Sequence, residues 1–368
     1  MFSDKKIAIV YDWIDKWGGV ERVLLDLHEI FPNAVFYTSY FDREKADWAK
    51  NLNVRTSFLQ SFPSMIKKNR ILSLPFFPFA FESFNFSNYD LVISVTSSFA
   101  KSVITQPGTK HICYLLTPTR YLWSHKKDYL KNSSINYLIG GYLDYFKNWD
   151  RITAQRPDKI ISISETVRTR CQKYYERDSE VVYPGFDTEY WKNIKDQISK
   201  ILNNKKYFLL VSRLEQYKKV DLAIKVFNKL NKKLIIVGSG SQYDRLKQLA
   251  GENITFLSEL SDMELGGLYS NAQALIMPQE EDFGYVALES QFFGCPVIAY
   301  KKGGAKETII DGKTGIFFVD QTGQSLKRAV ERFDKIKYNL RKNTAKFGII
   351  NVEKFSKVRF IEKFVKNI

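Results

Sequence analysis

The chain has 368 residues, 44% hydrophobic and 26% charged, which suits a globular protein with two domains of about 150–180 residues rather than a single core. With 56 Lys and Arg against 40 Asp and Glu, its net charge of +16 favours polyanionic partners. Its three cysteines, Cys113, Cys171 and Cys295, are widely separated, which excludes a disulfide framework and paired metal-ligand spacing, and no run of about 18 apolar residues exists to span a membrane.

The first residues, MFSDKKIAIVYDW, hold only a short apolar run, so no signal peptide is expected and a cytoplasmic protein is. No helix-turn-helix, zinc-ligand or RNP-type pattern is present, so nucleic acid ranks below an anionic membrane face among polyanionic partners. A solvated lysine-rich surface is the plain alternative.

Ile7 to Asp12 reads as a buried first strand. The turn after it contains Trp13 and ends in Gly18-Gly19, before a helix over about 20–30 with Val23, Leu24, Leu27 and Ile30 at helical spacing. Two glycines there suit close approach of backbone to a ligand at a helix start, or simply a tight turn. Residues 34–40, 54–58 and 90–95 read as further short strands.

Between the last two lies a Phe-rich stretch from Ile71 to Phe86, broken by Pro75 and Pro78, which argue against one continuous helix. It is either core packing or an aromatic patch for a bilayer interface, and Lys67, Lys68 and Arg70 before it suit anionic head groups. A strand over 111–116 then ends in Thr117-Pro118, followed by Arg120, Tyr121 and Trp123. Aromatic faces stack on the C–H surface of sugars and Arg meets hydroxyls or phosphate, so this turn suits a sugar ligand. Lys159 to Ser164 is a strand ending in a helix N-cap, and Val181 to Asp187 reads as a strand and hinge, placing a domain boundary near Pro184-Gly185.

In the second half, a strand over 207–212 leads to Arg213 and Lys218 before a helix over about 220–230. Two cations at a strand–helix junction form a natural diphosphate clamp, although either alone would read as an exposed charge. Leu234 to Gly238 is a strand and glycine turn, with Gly238 either facing a nucleotide or closing a β-turn, and Ile254 to Ser258 is another strand.

The most informative stretch is 276–298, IMPQEEDFGYVALESQFFGCPVI: strand, acidic turn, helix, strand. Such turns at the carboxyl ends of parallel strands form the ligand crevice of doubly wound sheets. Glu281 lies in the turn and Glu289 eight positions later, which at 1.5 Å per residue puts Glu289 about two turns down the helix, roughly 10 Å from its start, so the two could grip opposite ends of one elongated ligand. The helix start at Phe283-Gly284-Tyr285 offers unpaired N–H groups and a positive dipole end to a diphosphate. The bland reading makes Glu281 a helix cap and Glu289 a solvated residue. Beyond it, Gly303-Gly304-Ala305-Lys306-Glu307 forms another loop–helix junction, and the last 30 residues are helical and basic.

The frame Pro278-x-x-Glu281-x-Phe283-Gly284, Glu289-x-x-x-x-Gly294-x-Pro296-Val297-Ile298-Ala299 resembles the signature of retaining glycosyltransferase family 4, with Asp282 where the family usually has Gly. Ser212-Arg213-Leu214-x-x-x-Lys218 resembles the family's donor-phosphate loop, with Lys219 where Gly is common, and Gly18-Gly19-x-Glu21 its first-strand loop. The resemblance covers nearly the whole chain and is strongest over 207–320.

It implies an α/β protein of two Rossmann-like doubly wound domains facing across a cleft, the GT-B fold. One domain, 1–184 with a helix over about 352–368 crossing back, would bind the acceptor; the other, 185–351, would bind the donor. It further implies hexosyl transfer from a nucleoside-diphosphate sugar to a hydroxyl with retention, closest to mannosyltransferases of surface-polysaccharide or lipid-linked oligosaccharide assembly, with GDP-mannose as donor. The acceptor would be a glycan or polyprenyl-phosphate-linked chain, met as a peripheral protein on the inner face of the cell membrane.

By resemblance the catalytic residues are Arg213, Lys218 and Glu281. The donor-binding residues are Gly18, Gly19, Gly238, Ser258, Asp282, Phe283, Gly284, Tyr285 and Glu289; the acceptor-side residues are Trp13, Arg120, Tyr121 and Trp123. Because cations and a helix dipole offset the phosphates, no metal or cofactor is expected. Leu116 stands where the family often has His, and His28, His111 and His125 are not placed to replace it. Two alternatives follow: a catalytically silent nucleotide-sugar or glycan binder, or another enzyme on the fold such as a nucleotide-sugar epimerase or a phosphorylase.

Overall fold

The computed structural model describes residues 4–69, 72–124, 136–198 and 207–368, so Arg70, Ile71 and His125 lie outside the described residues. The chain divides into two compact units, Met1–Gly185 with Phe360–Ile368, and Phe186–Arg359.

The first unit holds a parallel sheet of β1 (Ile7–Tyr11), β2 (Val35–Thr38), β3 (Val54–Thr56), β4 (Leu91–Thr96), β5 (Lys110–Leu115), β6 (Lys159–Ser162) and β7 (Glu180–Val181), in the order β3-β2-β1-β4-β5-β6-β7. Every residue of β1 and β4 is buried, as expected for strands covered by helices on both faces. The order runs outward from β1 in both directions, so the topological switch lies between β1 and β4.

The Phe-rich stretch follows its core-packing reading. Leu74, Phe77, Ala80, Phe81 and Phe86 are buried in one cluster with Phe99, Leu122 and Phe146, while Leu72 and Phe79 are exposed. Pro78 lies in the first turn of the helix Phe77–Glu82, where its missing N–H costs nothing. Lys67 donates to the Gln60 carbonyl at 2.8 Å, and Lys68 pairs with Asp42 at 2.7 Å.

The second unit holds β8 (Tyr207–Val211), β9 (Leu234–Val237), β10 (Ile254–Leu257), β11 (Ala272–Met277), β12 (Val297–Tyr300) and β13 (Gly315–Phe318), all parallel, in the order β10-β9-β8-β11-β12-β13. This is the first sheet's plan repeated, with the switch between β8 and β11. The helices Val220–Leu230 and Gly323–Val352 cover its core, which runs through Phe208, Ile224, Phe227, Ile276, Ile298, Val330 and Phe333.

The terminal helix differs from the single segment expected over 352–368. The long helix stops at Val352, a 3₁₀ turn follows over Glu353–Phe355, and a new helix runs Lys357–Lys366. Strand-like pairing causes the break: the Phe186 N–H donates to the Phe355 carbonyl at 2.7 Å and the Lys357 N–H to the Phe186 carbonyl at 3.0 Å. Phe360 and Phe364 then pack edge-on against Tyr114 within the first unit. Among the described residues, no helix is long and apolar enough to cross a membrane.

Candidate active site

In the second unit, the two loops flanking the β8/β11 switch carry the predicted charges. After β8, the 3₁₀ turn Gln216–Lys218 directs Lys218 inward, and its side chain is only 8% exposed. Its Nζ donates to both oxygens of Glu281, at 2.6 and 2.8 Å. The buried Gln279 adds a bond from Nε2 to Glu281 Oε1 at 2.8 Å. Glu281 is therefore not a helix cap: it meets a lysine 63 positions earlier in sequence. The predicted clamp cation and the predicted ligand-gripping acid form one ion pair.

The acidic turn is braced from behind by backbone. Gly304 N–H donates to the Glu281 carbonyl at 2.8 Å. A Cβ on Gly303, at φ 70°, would stand 2.2 Å from that same oxygen, and one on Gly304 would stand 2.5 Å from the Phe283 carbonyl. Only glycine allows the two loops to touch. The sequence marked Gly303-Gly304 as a loop–helix junction, and nothing local announced its partner.

Gly284 ends the turn at φ 95°, a left-handed conformation that favours glycine, and the helix Tyr285–Phe292 begins directly after it without a side-chain cap. The helix start falls at the end of the predicted Phe283-Gly284-Tyr285. Glu289 sits about one turn into it, roughly 6 Å along the axis rather than 10 Å. Its carboxylate is buried and accepts the Tyr269 hydroxyl at 2.8 Å, so it is not a solvated residue. Asp282 and Phe283 are also buried, the latter against Tyr285 and Phe355. Among the described residues, no group of three or more His, Cys, Asp or Glu is placed to hold a metal ion.

Gly238 has a structural reason to be glycine: at φ 144°, a Cβ there would lie 2.0 Å from the Ser212 carbonyl. Its neighbours fasten the β9 loop to the β8 loop, through the Leu214 N–H to the Ser239 carbonyl at 2.8 Å and the Ser241 hydroxyl to Glu215 at 2.6 Å. Ser258 is exposed just past β10. Arg213 is exposed, and its guanidinium donates to the Tyr217 hydroxyl at 2.8 Å.

Lys219 adopts φ 53°, so the glycine common in the family is what this backbone favours. A left-handed non-glycine residue costs roughly 1–2 kcal/mol, offset in part by the chain entropy that glycine loses on folding. Lys219→Gly is therefore expected to stabilise the unit by up to about 1 kcal/mol, read as a raised urea midpoint. An unchanged or lowered midpoint would show that the turn carries no strain.

In the first unit, Asp12 stands at the end of β1 and is fully buried. It bridges that unit's switch by accepting from Thr96 Oγ1 at 2.7 Å and from the backbone of Ser97, Phe99 and Ala100 at 2.7–2.9 Å. Burial pushes its carboxyl up despite these donors. The helix that follows starts at Gly19, with Gly18 at φ 179°, an extended backbone open to any residue. Left-handed freedom is thus not what the glycine pair supplies, although a Cβ on Gly18 would press on Glu21 at 3.0 Å. Trp13 is half-buried against Phe77.

The segment after β5 is fixed by a buried hub that sequence reading missed. Asp150, in the helix Asn136–Thr153, is fully buried and pairs with the equally buried Lys101. It also accepts from Thr119 Oγ1 at 3.0 Å, Trp123 Nε1 at 2.7 Å and the Tyr175 hydroxyl at 2.8 Å. Trp123 stacks on Tyr174 with ring centroids 5.0 Å apart, and the Tyr121 hydroxyl meets Ser98 at 2.8 Å. These two predicted acceptor-side aromatics are built into the fold, while Arg120 stays half-buried at the head of the short helix Arg120–Trp123.

Leu116 is buried just past β5. His111 lies at the opposite end of that strand, its Nε2 2.9 Å from Ser94 Oγ, and burial drives its pKa down to about 4. It does not replace the absent histidine.

Residues 17–190 match the family described as Glycosyltransferase Family 4, and residues 192–349 match Glycosyl transferases group 1. The chain belongs to these glycosyltransferases. The alpha-1,3/1,6-mannosyltransferase ALG2 of Candida glabrata is 25% identical, over 84% of this chain and 79% of its own length. ALG2 of Kluyveromyces lactis is also 25% identical, over 90% and 76% respectively.

Among solved structures, Anabaena HepE in complex with UDP aligns with a TM-score of 0.70 at 18% identity, covering 98% of this chain and 99% of that one. A sucrose-phosphate synthase from Thermosynechococcus elongatus aligns at 0.73 with 16% identity, covering 98% of both chains. These likenesses establish the GT-B fold for this glycosyltransferase, with its two Rossmann-like sheets.

Proposed function

We propose that this glycosyltransferase moves a mannosyl group from GDP-mannose to a hydroxyl of a glycan or polyprenyl-phosphate-linked acceptor, with retention at the anomeric carbon, in the synthesis of a surface polysaccharide. The observation carrying this reading is the Lys218–Glu281 pair, its lysine buried and its acid half-buried, at the β8/β11 switch beside a helix start at Gly284. The named activity of the ALG2 relatives supports mannose; the UDP bound by HepE supports a nucleoside-diphosphate donor without choosing the base.

In this reading, Arg213, Lys218 and the first amides of the helix Tyr285–Phe292 receive the negative charge that grows on the diphosphate as the C1–O bond breaks. Such preorganised donors usually supply the largest catalytic term. Glu281 orients donor-sugar hydroxyls, and Glu289 meets the ribose. The acceptor oxygen attacks from the face that the diphosphate leaves, and its proton passes to a phosphate oxygen. No protein base is required, which makes Leu116 compatible with turnover, and two cations with a helix dipole make a metal dispensable.

Incubating the protein with GDP-mannose, other nucleotide sugars and a panel of mannose-terminated alcohols tests this. The expected result is free GDP released only with an acceptor, and an α-linked product by NMR. Binding of GDP-mannose without transfer to any acceptor would favour the silent-binder alternative; epimerised donor released without acceptor would favour the epimerase.

The acceptor is proposed to lie at an anionic membrane face, for which the +16 charge and the exposed Met65, Leu72 and Phe79 are the support. Co-sedimentation with phosphatidylglycerol liposomes is expected at low salt and is expected to fall as salt screens the charges. A protein that stays in the supernatant at low salt does not use this face for lipid.

A further inference from the structure

Two cations serve the proposed diphosphate site, and both meet one side chain that stands at an unspecified position of the Ser212-Arg213-Leu214-x-x-x-Lys218 frame. Tyr217 is half-buried in the 3₁₀ turn between them. Its hydroxyl accepts from Arg213 Nη2 at 2.8 Å, and the centroid of its ring lies 5.3 Å from Lys218 Nζ. Arg213 is exposed and enters no ion pair among the described residues, so this hydroxyl is the one hydrogen-bond partner of its guanidinium there. An exposed arginine carries large rotamer freedom, and a single charge-assisted bond is enough to select one orientation.

Lys218 is held differently. Its ammonium is already neutralised by Glu281, and the electron-rich face of Tyr217 provides a second attraction that persists when Glu281 turns to another partner. One phenol thus meets Arg213 through its hydroxyl and Lys218 through its ring.

We infer that Tyr217 is a positioning residue that presents Arg213 and Lys218 together to the diphosphate of the donor. It acts through the two cations and need not touch the reacting carbon. The assignment rests on the reading of Arg213 and Lys218 as diphosphate ligands. It predicts a signature that ordinary packing lacks: loss of Tyr217 weakens nucleoside diphosphates and spares monophosphates.

The test is calorimetric titration of the full chain. Wild type is titrated with the diphosphates of guanosine, uridine, adenosine, cytidine and thymidine, and the tightest binder is carried forward with its monophosphate. Tyr217→Phe, which keeps the ring, is expected to weaken the diphosphate about tenfold, the scale of one hydrogen bond to a charged group. Monophosphate affinity is expected to stay within about twofold, as it contacts less of the clamp. Tyr217→Leu, which also removes the ring, is expected to bind the diphosphate more weakly than Tyr217→Phe.

Arg213→Gln separates the inference from the reading beneath it. If Tyr217 acts through Arg213, the double variant R213Q/Y217F binds the diphosphate no more weakly than R213Q alone. Wild-type diphosphate affinity in Y217F beside a weakened R213Q overturns the positioning role and leaves the reading intact. An R213Q variant that binds like wild type, or a wild type that binds none of the diphosphates, removes the reading and Tyr217's role with it. Equal losses for diphosphate and monophosphate in Y217F, or a lowered unfolding midpoint in that variant, assign Tyr217 to packing.

Discussion

Asp150→Ala is expected to cost the first unit about 3–5 kcal/mol, the usual penalty for breaking a buried ion pair from one side. Lys101 is 1% exposed and its side chain has no water to fall back on. Removing its partner strands a charge in the core with only the Ser98 carbonyl to meet it, and at the same time takes the acceptor from the Trp123 indole N–H and the Tyr175 phenol, while the Thr119 hydroxyl keeps only the Ser98 carbonyl at 3.3 Å. For a unit of this size, that loss corresponds to a midpoint lower by roughly 6–20 °C. It is measurable by thermal unfolding followed through tryptophan fluorescence, to which Trp123 and Trp149 contribute.

The control is informative because a buried pair is strong evidence for mutual dependence and weak evidence for stability. Replacing both charges together, as K101M/D150L, is expected to recover most of the loss, since well-packed apolar groups commonly match a buried pair. The segment Thr119–Trp123 would still lack its anchor. A stable double variant with altered fluorescence from Trp123 would therefore show that the hub's purpose is to hold that segment. An Asp150→Ala protein as stable as wild type would mean that Lys101 finds another partner.

The fold was legible because its signals are local. All-apolar runs such as Ile7–Tyr11 and Leu91–Thr96, each followed by a turn and a helical period, mark parallel strands covered on both faces. The candidate site was half legible for the same reason. Gly284 and the charges around it lie within one short segment, and the left-handed turn needs its glycine whatever the rest of the chain does.

What stayed hidden depends on pairs distant in sequence. Lys218 and Glu281 were both identified, but a separation of 63 positions concealed that they bind each other. The Tyr269 partner of Glu289, the backbone brace from Gly303-Gly304 and the four donors around Asp150 are of the same kind. Periodicity says which face of a helix is apolar and nothing about which buried acid waits there. Trp123 shows the resulting gap: an Arg-aromatic turn suggests a sugar platform, and the sequence does not disclose that the indole N–H is also anchored to Asp150.

The Lys218–Glu281 contact leads to the second large effect. Lys218→Ala is expected to lower transfer by about 10²–10³, the range for removing one preorganised group that meets developing charge, and Glu281→Gln by about 10², the scale of losing the orientation of the donor sugar. Their effects on nucleotide binding should differ in sign. In Lys218→Ala, the carboxylate of Glu281, whose side chain is 14% exposed, loses its counter-charge and faces the incoming diphosphate as a like charge. GDP affinity is therefore expected to fall about 100-fold. In Glu281→Gln, the lysine is released from its partner, and GDP should bind as well as or better than to wild type.

The double variant decides between a pair that works as a unit and two independent ligands. If the residues are coupled, K218A/E281Q recovers roughly tenfold of the GDP affinity lost in K218A, because the repelling carboxylate is gone. Its transfer rate should not recover, since that step needs the missing cation and the missing acid in their own right. Additive losses in binding would instead mean that the two side chains meet in the free protein and part before the diphosphate arrives.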